Sequence, residues 1–347
     1  MQPGFSEEDL ALVHALQLSP RASSSALAPV LGASPTALAQ RWAQLRGAGL
    51  AWVAGYPMRE LLSGETLVAV VEVNCAPGTL TSVATRLEQI PEVVTIEHTA
   101  HGRDLLVTVN ARTFGGLSAL LLDQLSRIPG VASTRSHLGA RTHFEGGRWR
   151  LDALDQAQRD AIGAQLRAQR RDAPAKGQLP SDLTTPVLAP MVRELCRDGR
   201  SSAAELATRV GRPASTVRRQ LATLLRSDAL ALRCEVAQLY TRWPVCVTWW
   251  CRLPGSAVRP TVARLRKDPR VRMCVSLTGP ANFLVQAWIT DIAELVAAQN
   301  RLERLLPAGE ITDSSVTLRT RKRMGWLLHP DGRCTGEVVR PGLRPRE

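Results

Sequence analysis

Residues 210–230 read "VGRPASTVRRQLATLLRSDAL", a glycine turn running into an amphipathic helix. Val217, Leu221 and Leu224 recur at helical spacing and form its apolar stripe. A step of about 100° per residue sets Ser215, Arg219, Ala222 and Arg226 on the opposite side, with Arg218 on a flank. About 179 positions earlier, residues 31–50 say the phrase again as "LGASPTALAQRWAQLRGAGL". Here the stripe is Leu38, Trp42 and Leu45, and the outward positions are the uncharged Thr36, Gln40, Ala43 and Gly47. Arg41 and Arg46 fall on the flanks.

Two shorter amphipathic segments precede each phrase. In the first copy they are marked by Leu10, Val13 and Leu16, then by Leu27, Val30 and Leu31; in the second by Leu188, Met191, Val192 and Leu195, then by "SSAAELATRVG". Ser201 or Ser202 can cap that last helix, with Glu205 placed for a capping box. The order helix, helix, glycine turn, helix is that of a helix-turn-helix unit. Its third helix enters the major groove of DNA and reaches base edges from residues near its N-terminus.

About 80 residues of a second shared pattern follow each trihelical unit: strand, helix, strand, strand, helix, strand. In the first half the strands are "TLVAVVEVN", "EVVTIEHTAHGRDLLVTVN" folded about a glycine turn, and "GVASTRSHL". Leu80, Val83, Leu87 and Ile90 mark one helix, and Leu117, Leu120, Leu121 and Leu125 the other. The second half has "PVCVTWWCRL", "RVRMCVSLTGPANFLVQAWI" and "ITDSSVTLR", with helices marked by Val258, Val262 and Leu265 and by Ile292, Leu295, Val296 and Leu302. This is the ferredoxin-like βαββαβ arrangement, which leaves one sheet face for another sheet to cover. The expected fold class is α+β, with two winged or three-helix helix-turn-helix units alternating with two ferredoxin-like units.

The expected domains are a weak helix-turn-helix at 1–58, a ferredoxin-like domain at 64–145, and a linker with one helix at 146–180. A strong, basic helix-turn-helix at 181–242, a second ferredoxin-like domain at 243–328 and a tail at 329–347 complete the reading.

Composition narrows the function. The chain of 347 residues carries a net charge of +13, which points to a polyanionic partner. Lys176, Lys267 and Lys322 are its only lysines, so an evenly spread arginine bias has to be weighed, and the distribution decides against it. Residues 1–55 hold three basic residues against three acids, whereas residues 185–242 hold ten arginines against five acids. Seven cysteines without a C-x-x-C pair fit buried thiols rather than a disulfide framework or a zinc ribbon, and the six histidines form no metal motif. No catalytic set, metal or cofactor is expected. No apolar stretch reaches membrane-helix length, and "MQPGFSEEDLALVHAL" lacks a basic n-region, so a cytoplasmic protein is expected.

With these residues on the page, the halves resemble two fused copies of the leucine-responsive regulatory protein/AsnC family of transcription regulators. The resemblance is carried by "LGASPTALAQRWAQLRGAGLA" and "ELATRVGRPASTVRRQLATLLRSDALAL", then by "HGRDLLVTV" with "IPGVASTRSHL" and "TGPANFLVQAW" with "VTLRTRKR". It implies a DNA-binding transcription regulator that binds double-stranded DNA, modulated by an amino acid or a related small molecule, and a homo-oligomer of chains that are each a pseudo-dimer. Expected DNA contacts are Ser215, Thr216, Arg218, Arg219, Arg226 and Arg212 in the second unit and Thr36, Gln40 and Arg41 in the first. The first unit departs less from the family at its helix start, keeping Ser34-Pro35 where the second has Pro213-Ala214. Near the effector the resemblance places a glycine turn followed by an acid: Gly102 and Asp104, one residue closer together than usual, and Gly279 and Asn282. Plain hairpin turns are the alternative. Siroheme decarboxylases also resemble pairs of this fold. An enzyme of that kind is the alternative function, with His98 and His101 as the residues to watch.

Overall fold

Three helices open the chain, α1 (Glu7–Leu18), α2 (Ser24–Leu31) and α3 (Pro35–Gly47), followed by β1 (Ala51–Pro57). The computed structural model describes residues 4–57, 66–171, 183, 185–226 and 230–339. Next come β2 (Leu67–Cys75), α4 (Leu80–Glu88), β3 (Val93–Ala100), β4 (Leu105–Ala111), α5 (Phe114–Ser118), β5 (Val131–Phe144) and α6 (Gln156–Arg171). The order then returns as α7 (Ala189–Arg197), α8 (Ala203–Val210), α9 (Ala214–Arg226) and β6 (Leu230–Val236). It continues with β7 (Val245–Arg252), α10 (Gly255–Leu265), β8 (Val271–Leu277), β9 (Phe283–Ile289), α11 (Leu295–Leu305) and β10 (Glu310–Arg323). Two short strands follow, β11 (Trp326–Leu328) and β12 (Cys334–Val338).

Compactness cuts across this order. One unit takes both helix-turn-helix segments, with residues 150–237 joining the first 60; the other takes 61–149 and 238–342. In the first unit β1 and β6 pair antiparallel from Ala51↔Val236 to Pro57↔Leu230. Arg21 donates to the carbonyls of Gly199 and Ser201, and Arg200 donates back to those of Pro20 and Ala22. Each arginine thus satisfies buried carbonyls of the other trihelical segment. The hydroxyl caps form as the sequence suggests: Ser202 accepts from Glu205 N–H while Glu205 accepts from Ser202 N–H. Ser34 caps α3. Ser201, the other candidate cap, is buried and accepts from Arg209 instead.

Helix α6 lies in the segment read as a linker, and it docks. Gln158 and Gln165 donate to the carbonyls of Val30 and Ala26 at 3.2 and 3.0 Å, while Leu151, Leu154 and Ile162 are buried. The buried face of α1 provides two polar anchors. His14 Nδ1 accepts from the N–H groups of Ala153 and Leu154, and Gln17 accepts from Leu151 N–H at 2.7 Å. Residues 172–180 of the expected linker lie outside the described residues.

In the second unit each half forms a four-stranded antiparallel sheet, β3-β4-β2-β5 and β8-β9-β7-β10. The sheets join at both edges, β5 with β8 and β10 with β3, which closes an eight-stranded barrel. Closure removes the exposed edges that an open sheet would present. Apolar cores lie between each sheet and its own helices: Ala69, Val71, Val83, Leu87, Leu117 and Leu120 in the first half, Trp249, Val262, Leu265, Phe283 and Leu302 in the second. A third cluster joins the halves through Val70, Leu106, Trp250, Val275, Leu277 and Leu284.

Two details differ from the reading of the sequence. Ile292 and Val296 are exposed, because a 3₁₀ turn at Ile292–Glu294 resets the helical phase and brings Ala298 and Leu302 onto the sheet. Within the segment read as a tail, β12 pairs with β11, which extends β10. The polar sequence "CTGEV" carries no apolar alternation to announce it.

His14 gives the docking of α6 a pH dependence. Burial, with Arg159 and Arg150 adding to it, pushes its pKa down to about 4, since protonation would set a donor against two N–H groups. A depressed histidine stabilises the fold above its unfolded value near 6.5 and loses that contribution as pH falls toward 4. Urea denaturation is expected to show the protein about 2 kcal/mol less stable at pH 5 than at pH 7 through this residue, and His14→Gln to lose most of that difference.

Candidate functional site

The third helix of each trihelical segment is set by its apolar stripe. In α9, Val217, Leu221 and Leu224 are buried, which leaves Ser215, Arg218 and Arg219 exposed and Thr216 and Arg226 half-buried. Arg212, in the turn before α9, donates to the carbonyl of Val187 ahead of α7. Arg218 and Arg219 make no ion pair among the described residues, so two guanidinium groups stand free beside an exposed serine. That arrangement suits phosphate oxygens or the O6/N7 edge of guanine.

Helix α3 buries Leu38 and Leu45, while Trp42 is half-buried beneath the Arg200 guanidinium at 5.5 Å. Thr36 and Gln40 are exposed, as are Ala43 and Gly47. Arg41 is not free. It donates to Asp9 at 2.8 Å and to Ser6 at 3.1 Å, with Glu8 at 3.7 Å. Arg46 pairs with Asp198 at 2.9 Å. Helix α3 therefore presents neutral side chains, and its flanking arginines are already occupied.

The two turns of the barrel unit have equal length in space. Asp104 Oδ2 accepts from Cys75 N–H at 2.7 Å, and Asn282 Oδ1, 178 positions on, accepts from Leu253 N–H at 2.9 Å. Asn282 also donates to the Leu253 carbonyl. The place of Gly279, with φ 106°, is filled in the first half by His101, a non-glycine residue held at φ 72°. Gly102 takes the place of Pro280, which explains why the glycine and acid stand closer together in the first half. Asp104 and Asn282 thus tie their turns to the backbone at the ends of β2 and β7, and the two candidate pairs lie at separate turns.

One residue between Gly102 and Asp104 does more than the sequence suggested. Arg103 is buried, bonded to Glu72 at 3.1 Å and to Asp313, and lies 5.2 Å from the Trp250 ring centroid. His137 adds a 2.9 Å contact to Glu72 and packs on Trp250 at 4.6 Å. Burial would raise the Glu72 carboxyl, but the His137 hydrogen bond and the charge of Arg103 outweigh it and hold the pKa low. Burial, reinforced by Arg321 and Arg319, pushes His98 down. Among the described residues no group of side chains has the makings of a metal site, and no helix is long and apolar enough to cross a membrane. Five of the seven cysteines are buried and two half-buried.

This fold and site define an α+β chain built around a winged helix-turn-helix and a ferredoxin-like sheet domain. Residues 68–149 match the family model of the Lrp/AsnC ligand binding domain, and residues 191–229 that of a winged helix-turn-helix DNA-binding domain. Among curated proteins, an uncharacterized HTH-type transcriptional regulator of Pyrococcus furiosus is 26% identical over 132 residues, 38% of this chain and 89% of that one. The HTH-type transcriptional regulator FL11 of Pyrococcus horikoshii is 24% identical over 145 residues, 42% of this chain and 95% of that one. Each of these four matches covers less than half of this chain. Among solved structures the siroheme decarboxylase NirDL aligns over 91% of this chain and 93% of its own, at 13% identity and a TM-score of 0.52. That likeness is one of fold.

The turn geometry makes a direct test. Asp104→Asn is expected to keep stability within about 0.5 kcal/mol, since asparagine already makes this bond in the second half. Asp104→Ala is expected to lose about 1–2 kcal/mol by stranding Cys75 N–H. Urea denaturation of the two variants separates them.

Proposed function

We propose that this chain is a DNA-binding transcription regulator of the Lrp/AsnC type, carrying two fused copies of the family's domain pair. The observation that carries the reading is the contrast between α9, with Ser215, Arg218 and Arg219 exposed, and α3, whose exposed positions are uncharged. A symmetric dimer presents equal recognition helices and reads a palindrome. Two unequal helices in one chain read an asymmetric site, with a strong half set by α9 and a weak half set by Thr36 and Gln40. Thr216, Arg212 and Arg226 complete the strong half from its borders. In this reading the protein works in the cytoplasm and its chains associate further into homo-oligomers.

The Lrp/AsnC ligand binding domain supports a small-molecule effector, and an amino acid or a keto-acid relative is the class we infer. The turns at Gly102–Asp104 and Gly279–Asn282 are its proposed borders. Any contact from Asp104 would use the carboxylate oxygen not already bonded to Cys75. The decarboxylase alternative shares the fold but gives α9 no task, so the regulator reading accounts for more of the surface.

Gel shifts on one operator fragment, selected from genomic DNA, at fixed salt test the unequal halves. Arg218→Ala with Arg219→Ala is expected to weaken binding at least tenfold, and Gln40→Ala to have a smaller effect confined to one half of the site. Equal losses would defeat the reading. For the effector, a thermal-shift screen of the common amino acids and their keto acids should find at least one that raises the melting temperature, since linkage requires unequal binding to two states.

A further inference from the structure

The junction between the first helix and the third is built alike in both trihelical segments, but it carries acids in the first and none in the second. Ser6 Oγ accepts from Asp9 N–H at the start of α1, and Thr185 Oγ accepts from Leu188 N–H ahead of α7. These hydroxyls are 179 positions apart, the same offset that relates Arg21 to Arg200. Around the first hydroxyl stand Glu7, Glu8 and Asp9; around the second stand Pro186, Val187 and Leu188. The recognition segment answers each differently. In the first, Arg41 of α3 is drawn onto Asp9, Ser6 and Glu8. In the second, Gln220 stands where Arg41 would, and Arg212 instead lays its guanidinium on the carbonyls of Val187 and Pro186.

Charge decides what this means for a polyanion. Glu8 is 73% exposed beside the recognition helix, while Arg41 is only 32% exposed. A phosphate approaching this flank meets a largely exposed carboxylate, bonded to Ser6 Oγ, and a guanidinium whose Nη1 is held by Asp9 and Ser6. We propose that Glu8 and Asp9 withhold Arg41 from DNA, so that the first helix-turn-helix is a reader muted by its own first turn. The inference rests on the DNA-binding reading above and adds the residues that set the weak half. Arg41 has the reach of a backbone contact, so its release acts on all sequences alike and on salt dependence.

The test uses the full chain and a 30-base-pair mixed-sequence duplex, with binding followed by fluorescence anisotropy at several salt concentrations. Glu8→Gln with Asp9→Asn, which keeps a capping side chain at position 9, is expected to tighten binding about tenfold and steepen the salt slope by about one. Glu8→Gln alone, which leaves the Ser6–Asp9 cap intact, is expected to tighten it about threefold. Arg41→Ala alone should change affinity less than twofold. Added to the double variant, it should return the salt slope to that of the wild type. Unchanged affinity in the double variant with an unchanged melting temperature overturns the proposal, and so does a steeper slope that survives Arg41→Ala. A wild-type chain that binds no duplex at any salt brings down the DNA-binding reading itself, whereas a wild type that binds beside unresponsive variants brings down the muting alone.

Discussion

A four-stranded βαββαβ sheet covered by its own helices still has two bare edges and one bare face, and the pairing of β5 with β8 and of β10 with β3 removes all three at once. Edge backbone groups find partners in the other half, as buried N–H and C=O groups must. The faces meet in the same step, so that Val70 and Leu106 of one half pack with Trp250, Val275 and Leu284 of the other. This closure brings Arg103 from one half against Asp313 and Trp250 of the other.

The helix-turn-helix unit solves a similar problem with fewer residues. A trihelical segment of about 50 residues buries little apolar surface by itself. Here β1 and β6 form one ribbon, and Arg21 and Arg200 each bond the backbone that surrounds the other. Helix α6 and the residues just before it bury Ile162, Leu151 and Leu154. Helices α3 and α9, with their unequal surfaces, are therefore held on one scaffold.

Much of this was legible in the sequence because apolar periodicity reports burial directly. The stripes of α3 and α9, the strand order of each half and the capping box at Ser202 all rest on spacing within a few residues. What was not legible depends on pairs far apart in the chain. Nothing near Arg41 announces Asp9 as its partner, and nothing near Arg103 announces Asp313. His14 and Gln17 did leave a signal, since both interrupt an apolar helix on its buried face, and a polar residue there implies a bonded partner. Spacing did not disclose that His101 and Gly102 both take left-handed backbone, at φ 72° and 73°, where the second half has Gly279 and Pro280. In α11 the phase was lost to a 3₁₀ turn that no count at 100° per residue includes.

The charges inside the barrel explain why the two halves need not stay alike. Arg103 of the first half meets Asp313 of the second, and Glu97 meets Gln286 at 3.1 Å and Arg272 at 4.0 Å. Glu88 takes Arg321 at 2.6 Å, and Lys322 donates to the carbonyls of Glu88 and Ile90. Counting 178 positions on from Arg103 and Glu97 gives Ala281 and Val275, so the second half holds no like charge to meet its own kind. A first half paired with another first half would leave Arg103 with Glu72 of its own half alone and Glu97 without Gln286 and Arg272, and an unpaired buried charge costs several kcal/mol. Unlike pairing is the arrangement that satisfies them. A chain whose two sheet domains meet through unlike partners is released from two-fold symmetry, and helices α3 and α9 are free to differ in charge as they do.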